Sequence, residues 1–329
     1  MKACLLGDTH LGIKNSNMFW LDLTYKLFED VVDYCIKNNI SKIIHLGDWF
    51  HTRFSLNVLS INTSYKILNL LERNGIHIYI IKGNHDTYYK NKPTPHSLMI
   101  FEKYHNVTIV DDPMEFDHEV LCPWNTLPTD TVKKFLLGHY EINGIATNAS
   151  GYEITTGKLS INDFKQFEKV YSGHFHTRSS NKNIEYIGST HPMDMNDIND
   201  TRGYYNYEDG HINEFIEFTA APKFVKFTSD ADFDTIEIQN NICKVVFVDG
   251  ITETESAKII DKIKSFNPKE LYIDFKIKNE DQIEENPFIG DNSDMILHYI
   301  DNITCPTIGL DKKTLKLYVK KLDSDLKEN

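Results

Sequence analysis

Five short stretches of the chain carry oxygen and nitrogen donors in close spacing: Asp8-Thr9-His10, Gly47-Asp48, Gly83-Asn84-His85-Asp86, Gly138-His139 and Gly173-His174-Phe175-His176. Histidine, aspartate and asparagine together make a borderline-hard donor set, suited to Mn²⁺, Fe²⁺ or Zn²⁺ and poorly suited to Ca²⁺ or Cu⁺. Seven such side chains (Asp8, His10, Asp48, Asn84, His139, His174 and His176) are too many for one ion. With a shared carboxylate they suit two ions about 3.5–4 Å apart, the arrangement used for in-line displacement at phosphorus. Two cations lower the pKa of a bridging water towards neutrality and neutralise charge on phosphorus. A positioned imidazole is a suitable general acid beside them.

Taken singly, each stretch has an ordinary reading. Asp8-Thr9-His10 would serve as a helix cap, Gly83-Asn84-His85-Asp86 as a surface turn, and His139 as a satisfied core histidine. What separates them from accident is position, because all five follow a strand pattern. Residues 1–6, 42–46, 77–81, 133–137 and 169–172 are short apolar runs, and each ends at one of the stretches. His45 and His77 lie inside such runs and read as structural.

The intervening segments are helical. Trp20, Leu23, Leu27, Val31, Tyr34 and Cys35 fall three or four apart, which predicts a helix over about 18–37, stopped at Asn38-Asn39. Ile61, Tyr65, Leu68 and Leu71 predict a second helix over about 56–73. The order β-α-β-α-β implies a layered α/β fold with parallel strands, and ligands on such sheets bind beyond the carboxyl ends of the strands. A glycine before each donor suits a sharp strand exit. A helix over 97–104 and short strands over 107–123 follow, with residues 183–189 and a hairpin over 203–218 read as a mixed second sheet.

The series Asp-x-His, Gly-Asp, Gly-Asn-His-Asp, Gly-His and Gly-His-x-His resembles the calcineurin-like metallophosphoesterase superfamily. Gly7-Asp8-Thr9-His10-Leu11-Gly12, Gly47-Asp48-Trp49-Phe50-His51-Thr52-Arg53 and Tyr171-Ser172-Gly173-His174-Phe175-His176 are similar to the SbcD-type DNA double-strand-break nucleases, above all their phage recombination branch. The likeness covers residues 1 to about 215. It implies an αββα-type sandwich in which Asp8, His10 and His176 hold one metal, Asn84, His139 and His174 the other, and Asp48 bridges both. It further implies that His85 protonates the leaving oxygen, with Asp86 as its orienter. His51 matches the family's second nuclease histidine, and Arg53 lies where it meets phosphate. The cofactors implied are two divalent ions, Mn²⁺ first, with Mg²⁺, Fe²⁺ or Zn²⁺ as alternatives.

Beyond residue 222 the donor motifs stop. Strand 242–248, helix 253–266 and strand 270–278 form a compact β-α-β unit, which the resemblance implies is a small α+β capping domain, so the chain divides into 1–221, 222–280 and 281–329. The last part is a polar tether followed by two short amphipathic helices, about 293–302 and 311–323, too short to bury their own apolar faces. In the family such a helix-loop-helix docks on the coiled-coil base of an SMC-like, SbcC-type ATPase. A partner of that kind fits the charge: the chain carries a formal −13, whereas affinity for DNA rises with the number of phosphates neutralised. The helices over 18–37 and 56–73 offer homodimer surfaces.

Composition sets the remaining bounds. Forty percent hydrophobic and 25% charged residues describe an ordinary soluble domain, and no apolar run is long enough to cross a membrane. The five cysteines are scattered without a CxxC pair, which fits a reducing cytoplasm and argues against a cysteine metal site. The resulting expectation is a cytoplasmic (if phage-encoded, host-cell) metal-dependent DNA exo- and endonuclease subunit of a recombination and break-processing complex. The rival readings are a phosphoesterase acting on small phosphate esters or nucleotides, and a non-catalytic scaffold subunit.

Overall fold

Ala3 to Leu6 are all fully buried, the signature of a strand covered on both faces. This strand, β1 (Lys2–Leu6), lies inside a computed structural model that describes residues 1–89, 92–145, 153–155, 157–198, 200–275 and 316–317. After a short left-handed turn α1 (Ile13–Ser16) come α2 (Met18–Lys37), β2 (Lys42–His45), α3 (Val58–Arg73), β3 (His77–Ile81) and β4 (Val107–Val110). Next are β5 (Met114–Glu115), β6 (Glu119–Cys122), β7 (Phe135–His139), β8 (Ile142–Asn143), β9 (Leu159–Ser160) and β10 (Lys169–Gly173). Then follow β11 (Ser179–Asn181), β12 (Ile184–Tyr186), β13 (Gly203–Glu208), β14 (His211–Glu217), β15 (Phe224–Thr228), β16 (Ile242–Phe247), α4 (Glu253–Ser265) and β17 (Glu270–Phe275).

Two six-stranded sheets face each other, one ordered β14-β13-β1-β2-β3-β4 and the other β11-β12-β10-β7-β6-β5. Strand alternation divides their side chains into layers. Ala3, Leu5, Ile44, Leu46, Ile81, Leu121, Leu137 and Tyr171 meet between the sheets. Cys4, Leu6, Ile43, Ile78 and Ile80 point the other way, onto α2 and α3. The outer face of the second sheet is covered by a 3-10 turn, Ile161–Phe164, and the β8–β9 pair, with Tyr140, Phe164 and Tyr186 in its core.

The hairpin over 203–218 forms, but on the first sheet, where β13 runs antiparallel to β1 with Leu5 opposite Tyr205 and Ala3 opposite Tyr207. That register places both tyrosines in the core between the sheets. Helix α2 buries the expected stripe apart from the half-buried Tyr34, and Asn17 caps it by accepting the Phe19 N–H at 2.9 Å. Helix α3 buries the expected Leu68 and Leu71 but leaves Tyr65 exposed and buries Ser60 and Ser64 beside them. Ser64 Oγ accepts the Trp49 indole N–H at 3.0 Å and Ser60 meets Ser16 at 3.1 Å, so hydrogen bonds decide the face where apolar count does not. The helix expected over 97–104 is a 3-10 turn, Ser97–Phe101.

Strands β15, β16 and β17 form a separate parallel sheet with α4 as crossover and their own core around Phe227, Phe233, Val245 and Phe247. Phe224, in a strand that sequence patterning misses, stacks at 6.4 Å on Trp20 and joins this sheet to the main body. By contacts the chain separates into Met1–Lys276 and Ile277–Asn329. The terminal helices expected at about 293–302 and 311–323 lie outside the described residues, Lys316 and Leu317 apart. The four described cysteines are free and buried. Among the described residues no helix is long and apolar enough to cross a membrane.

Candidate metal centre

The five donor-bearing loops leave β1, β2 and β3 of the first sheet and β7 and β10 of the second. They therefore meet at one end of the sandwich, with both sheets contributing, where the sequence pattern suggests a single sheet edge. The donors carry the conformational burden themselves. Asp8, His10, Asp48 and His174 have φ of 52, 43, 55 and 96°, a left-handed region costing roughly 1–3 kcal/mol for such residues. A short ladder holds the loops in place: the Asp8 N–H donates to Gly47 O at 3.0 Å, His10 N–H to Asp48 O at 3.0 Å, and Leu11 N–H to Trp49 O at 2.8 Å. The preceding glycines mostly supply room. A Cβ on Gly83 would lie 2.2 Å from Asp48 Oδ1, and only Gly47, at φ 96°, also needs glycine's dihedral freedom.

Two donor groups result. His10 Nε2 lies 3.0 Å from His176 Nε2, in a cluster completed by Asp8. Asn84 Oδ1 lies 3.0 Å from both His139 Nε2 and His174 Nδ1. Asp48 stands between the groups, with Oδ2 3.6 Å from His10 Nε2 and 3.5 Å from His139 Nε2. Asp48 Oδ1 accepts the His85 N–H at 2.8 Å, which fixes the carboxylate plane. Asp8, His10, Asp48 and His139 are almost wholly buried.

The electrostatics are those of a cation site. Burial pushes His174 down to about 3 and His10 well below its usual value, so both imidazoles keep free lone pairs at neutral pH. Burial raises Asp8 to about 8, against the pull of His139. Burial acts on Asp48 and His139 too, but their mutual attraction outweighs it, holding Asp48 low and His139 up at about 9. Buried carboxylates at this density call for compensating positive charge, and the neutral donors His10, His174 and His176 fit a divalent ion.

His85 sits beside the first group, its ring 4.8 Å from that of His10. Its Nδ1–H donates to the His51 carbonyl at 2.6 Å, leaving Nε2 as the free edge. That contact corrects the expectation for Asp86. The Asp86 carboxylate accepts N–H groups from Gly83 at 3.0 Å, Phe50 at 3.2 Å and Trp49 at 3.3 Å, bracing the loops after β2 and β3 together. Orientation of His85 comes from the His51 backbone. The His51 ring stacks at 5.8 Å on His85, and its Nδ1 is buried without a partner. Burial, with the neighbouring His85, lowers the His51 pKa.

Arg53 lines a cleft of about 800 Å³ that opens on Asn84 and His174. The same cleft holds a residue outside the donor motifs, Trp124, whose ring lies 4.9 Å from His174 and 5.5 Å from His139. Its signal in the sequence is a sixth strand end on the same side, β6 running into Pro123-Trp124. His45 and His77 are structural as expected, paired with Thr9 at 3.0 Å and Thr108 at 2.8 Å.

A double-sheet sandwich with donors at the strand ends and a carboxylate between two donor groups defines a metal-dependent phosphoesterase. The calcineurin-like phosphoesterase family matches residues 1–178, and the chain belongs to that family. It is 31% identical to exonuclease subunit 1 of Enterobacteria phage T4 over 223 residues, which span 63% of this chain and 65% of that protein. It is 26% identical to the DNA double-strand break repair protein Mre11 of Methanococcus maripaludis over 239 residues, 62% of each chain. It is 27% identical to the protein of that name from Sulfurisphaera tokodaii over 194 residues, 53% of this chain and 48% of the other. The matches thus span between about half and just under two thirds of these relatives.

Proposed function

We propose that the chain is a two-metal DNA nuclease subunit that hydrolyses phosphodiester bonds, acting as exo- and endonuclease in recombination and break processing. The observation that carries this reading is Asp48, with one carboxylate oxygen facing His10 and His139 at 3.6 and 3.5 Å. Asp8, His10 and His176 would hold one divalent ion, Asn84, His139 and His174 the other, and Asp48 both; Mn²⁺ suits the set best, with Mg²⁺, Fe²⁺ and Zn²⁺ as alternatives. Such ions polarise phosphate oxygens and acidify water near neutrality. His85, its Nδ1–H fixed on the His51 carbonyl, would deliver the Nε2 proton to the leaving oxygen. His51 would keep that ring oriented by stacking, and Arg53 would receive a phosphate oxygen at the cleft mouth.

The names of the relatives support nuclease chemistry over turnover of small phosphate esters. The complete donor set weighs against a scaffold role. Residues 222–280 would act as a capping segment and 281–329 as the tether and helices that engage an SbcC-type ATPase. That partner would supply the DNA grip that a chain of net charge −13 lacks. The proposed setting is the cytoplasm of the cell, the host cell if the gene is a phage's, with homodimerisation through α2 and α3. The test is Mn²⁺-dependent cleavage of plasmid and labelled hairpin DNA, with and without the ATPase. Cleavage that survives Asp8→Ala would end the two-metal reading. Turnover of small esters alone would favour the phosphoesterase rival.

A further inference from the structure

The cleft beside the metal centre is poorly built for binding by charge. Arg53, Lys82, Lys92 and Lys158 line it, but so do Asp111, Asp112 and Glu141. Lys82 is already committed, its Nζ 3.0 Å from Asp111 Oδ1. What the cleft offers instead is a partly exposed aromatic surface next to the donors. Trp124 packs against the His174 and His139 rings at 4.9 and 5.5 Å and also lines the open space.

This side chain sits on a fixed backbone. The Trp124 N–H donates to Lys82 O at 2.8 Å, and the Asn125 N–H to His139 O at 3.0 Å. The Trp124 carbonyl accepts the Thr126 hydroxyl at 3.1 Å. The loop after β6 is thereby tied to β7 and to the segment leading into Asn84, and the indole rests on the His174 and His139 rings. A rigid aromatic surface beside a phosphate site stacks a nucleobase, because every base offers a π-face whatever its sequence. A base inside a duplex has both faces covered by its neighbours, so only an unpaired base can use such a surface.

Resting on the nuclease reading above, we propose that Trp124 is a stacking platform for an unpaired nucleobase flanking the scissile phosphate. The site thereby prefers a single-stranded or frayed nucleotide over a paired one. With four cationic and three acidic side chains in the cleft, stacking rather than counterion release supplies the selectivity, and affinity there depends only shallowly on salt.

The chain suits a direct test. Of its three tryptophans, Trp20 and Trp49 are at most 2% exposed, and Trp124 alone reaches the cleft. Indole fluorescence of the full chain in EDTA is titrated with a short oligothymidylate and with a blunt hairpin duplex closed by a non-nucleotide linker, so that it carries no unpaired base. The expected result is quenching by the single strand, little by the hairpin, and a weak salt dependence. Trp124→Ala is expected to weaken oligothymidylate binding roughly 5- to 150-fold, measured by anisotropy of the labelled strand. Trp124→Phe should retain affinity within a few-fold while removing the signal. Equal quenching by the hairpin, a steep salt slope, or wild-type affinity in Trp124→Ala would each overturn the proposal. Should the alanine variant fail to fold, the wild-type contrast between strand and hairpin decides alone. Metal-dependent hydrolysis of bis(p-nitrophenyl) phosphate by the wild type tests the phosphodiesterase reading separately, since it reads turnover at the metal centre and not the preference between single and paired strands.

Discussion

The double sandwich and the small sheet at 224–275 use left-handed backbone in opposite ways. In the small sheet the non-glycine residues with positive φ are Asn240 and Asn267, at 60 and 57°, a residue type that enters this region readily. At the donor-bearing strand ends of the sandwich they include the donors themselves, Asp8, His10, Asp48 and His174, braced by hydrogen bonds between the loops. The buried side chains differ in the same sense. The core of the small sheet is apolar, Phe227, Phe233, Val245, Phe247 and Ile263, and its ion pairs, Lys223–Glu237 and Lys244–Asp274, lie largely at the surface. The sandwich instead buries Asp8, Asp48, Asp86, His10 and His139 within one corner. One region is arranged for stability, and the other accepts strain and buried charge for the sake of a cation.

That contrast breaks most sharply at Asp8. Asp8→Asn keeps an acceptor for the His174 N–H, now 3.1 and 3.2 Å from the two oxygens, but removes a carboxylate whose charge burial disfavours. Turnover is expected to fall about 10³-fold or more, the scale on which loss of one charge-stabilising group is felt, while the metal-free protein melts at a higher temperature. A lower melting temperature in EDTA would mean that the corner is not strained by its charge. His85→Gln separates chemistry from binding. Metal affinity by calorimetry should be unchanged, and turnover should drop roughly 10²–10⁴-fold, the range for a general acid. Phe247→Ala is the mirror experiment: it should cost about 3–5 kcal/mol in denaturant unfolding and leave Mn²⁺ affinity intact.

These outcomes also mark what the sequence could display. Donor residues following apolar runs are a local signal, so Asp8, Asp48, Asn84, His139 and His174 stand out from the order of residues alone. Asp86 is the opposite case. Next to His85 in the chain, it looks like that ring's orienter, yet its carboxylate goes to N–H groups at Gly83, Trp49 and Phe50, and two of those three lie on another loop. The placement of β13 and β14 on the first sheet depends on Tyr205 and Tyr207 finding the inter-sheet core, and period-two patterning alone does not say which sheet. The buried face of α3 is legible only in its second half, at Leu68 and Leu71, because Ser60 and Ser64 are polar yet buried by specific partners. Trp124 carries no donor atom for a metal, so ligand spacing gives no hint of it.

Acid adds a smaller test. His45 and His191 are fully buried and held at about 3, His45 by burial opposed by Asp48, and His191 by burial with Arg202. Between pH 6.5 and 3 the unfolded chain binds a proton at each position and the folded chain does not. Stability therefore falls as pH drops below about 6.5, by up to about 1.4 kcal/mol per pH unit for each histidine. His191→Gln should flatten that slope in denaturant titrations at pH 6.5 and 5.5, and an unchanged slope would remove His191 from the account.

The smallest effect lies at the start of α4. The Thr252 hydroxyl accepts the Glu255 N–H at 3.3 Å, and the Glu255 carboxylate accepts the Thr252 N–H at 3.0 Å, a reciprocal capping box on an exposed helix. Thr252→Ala removes half of that exchange and is expected to cost about 1 kcal/mol. Since α4 covers the small sheet and contributes none of the donors, phosphodiester turnover with saturating divalent ion should be unaffected. A several-fold loss of turnover with so slight a loss of stability would show that the small sheet takes part in the reaction. The division drawn between a stable region and a strained one would then fail at its most lightly perturbed point.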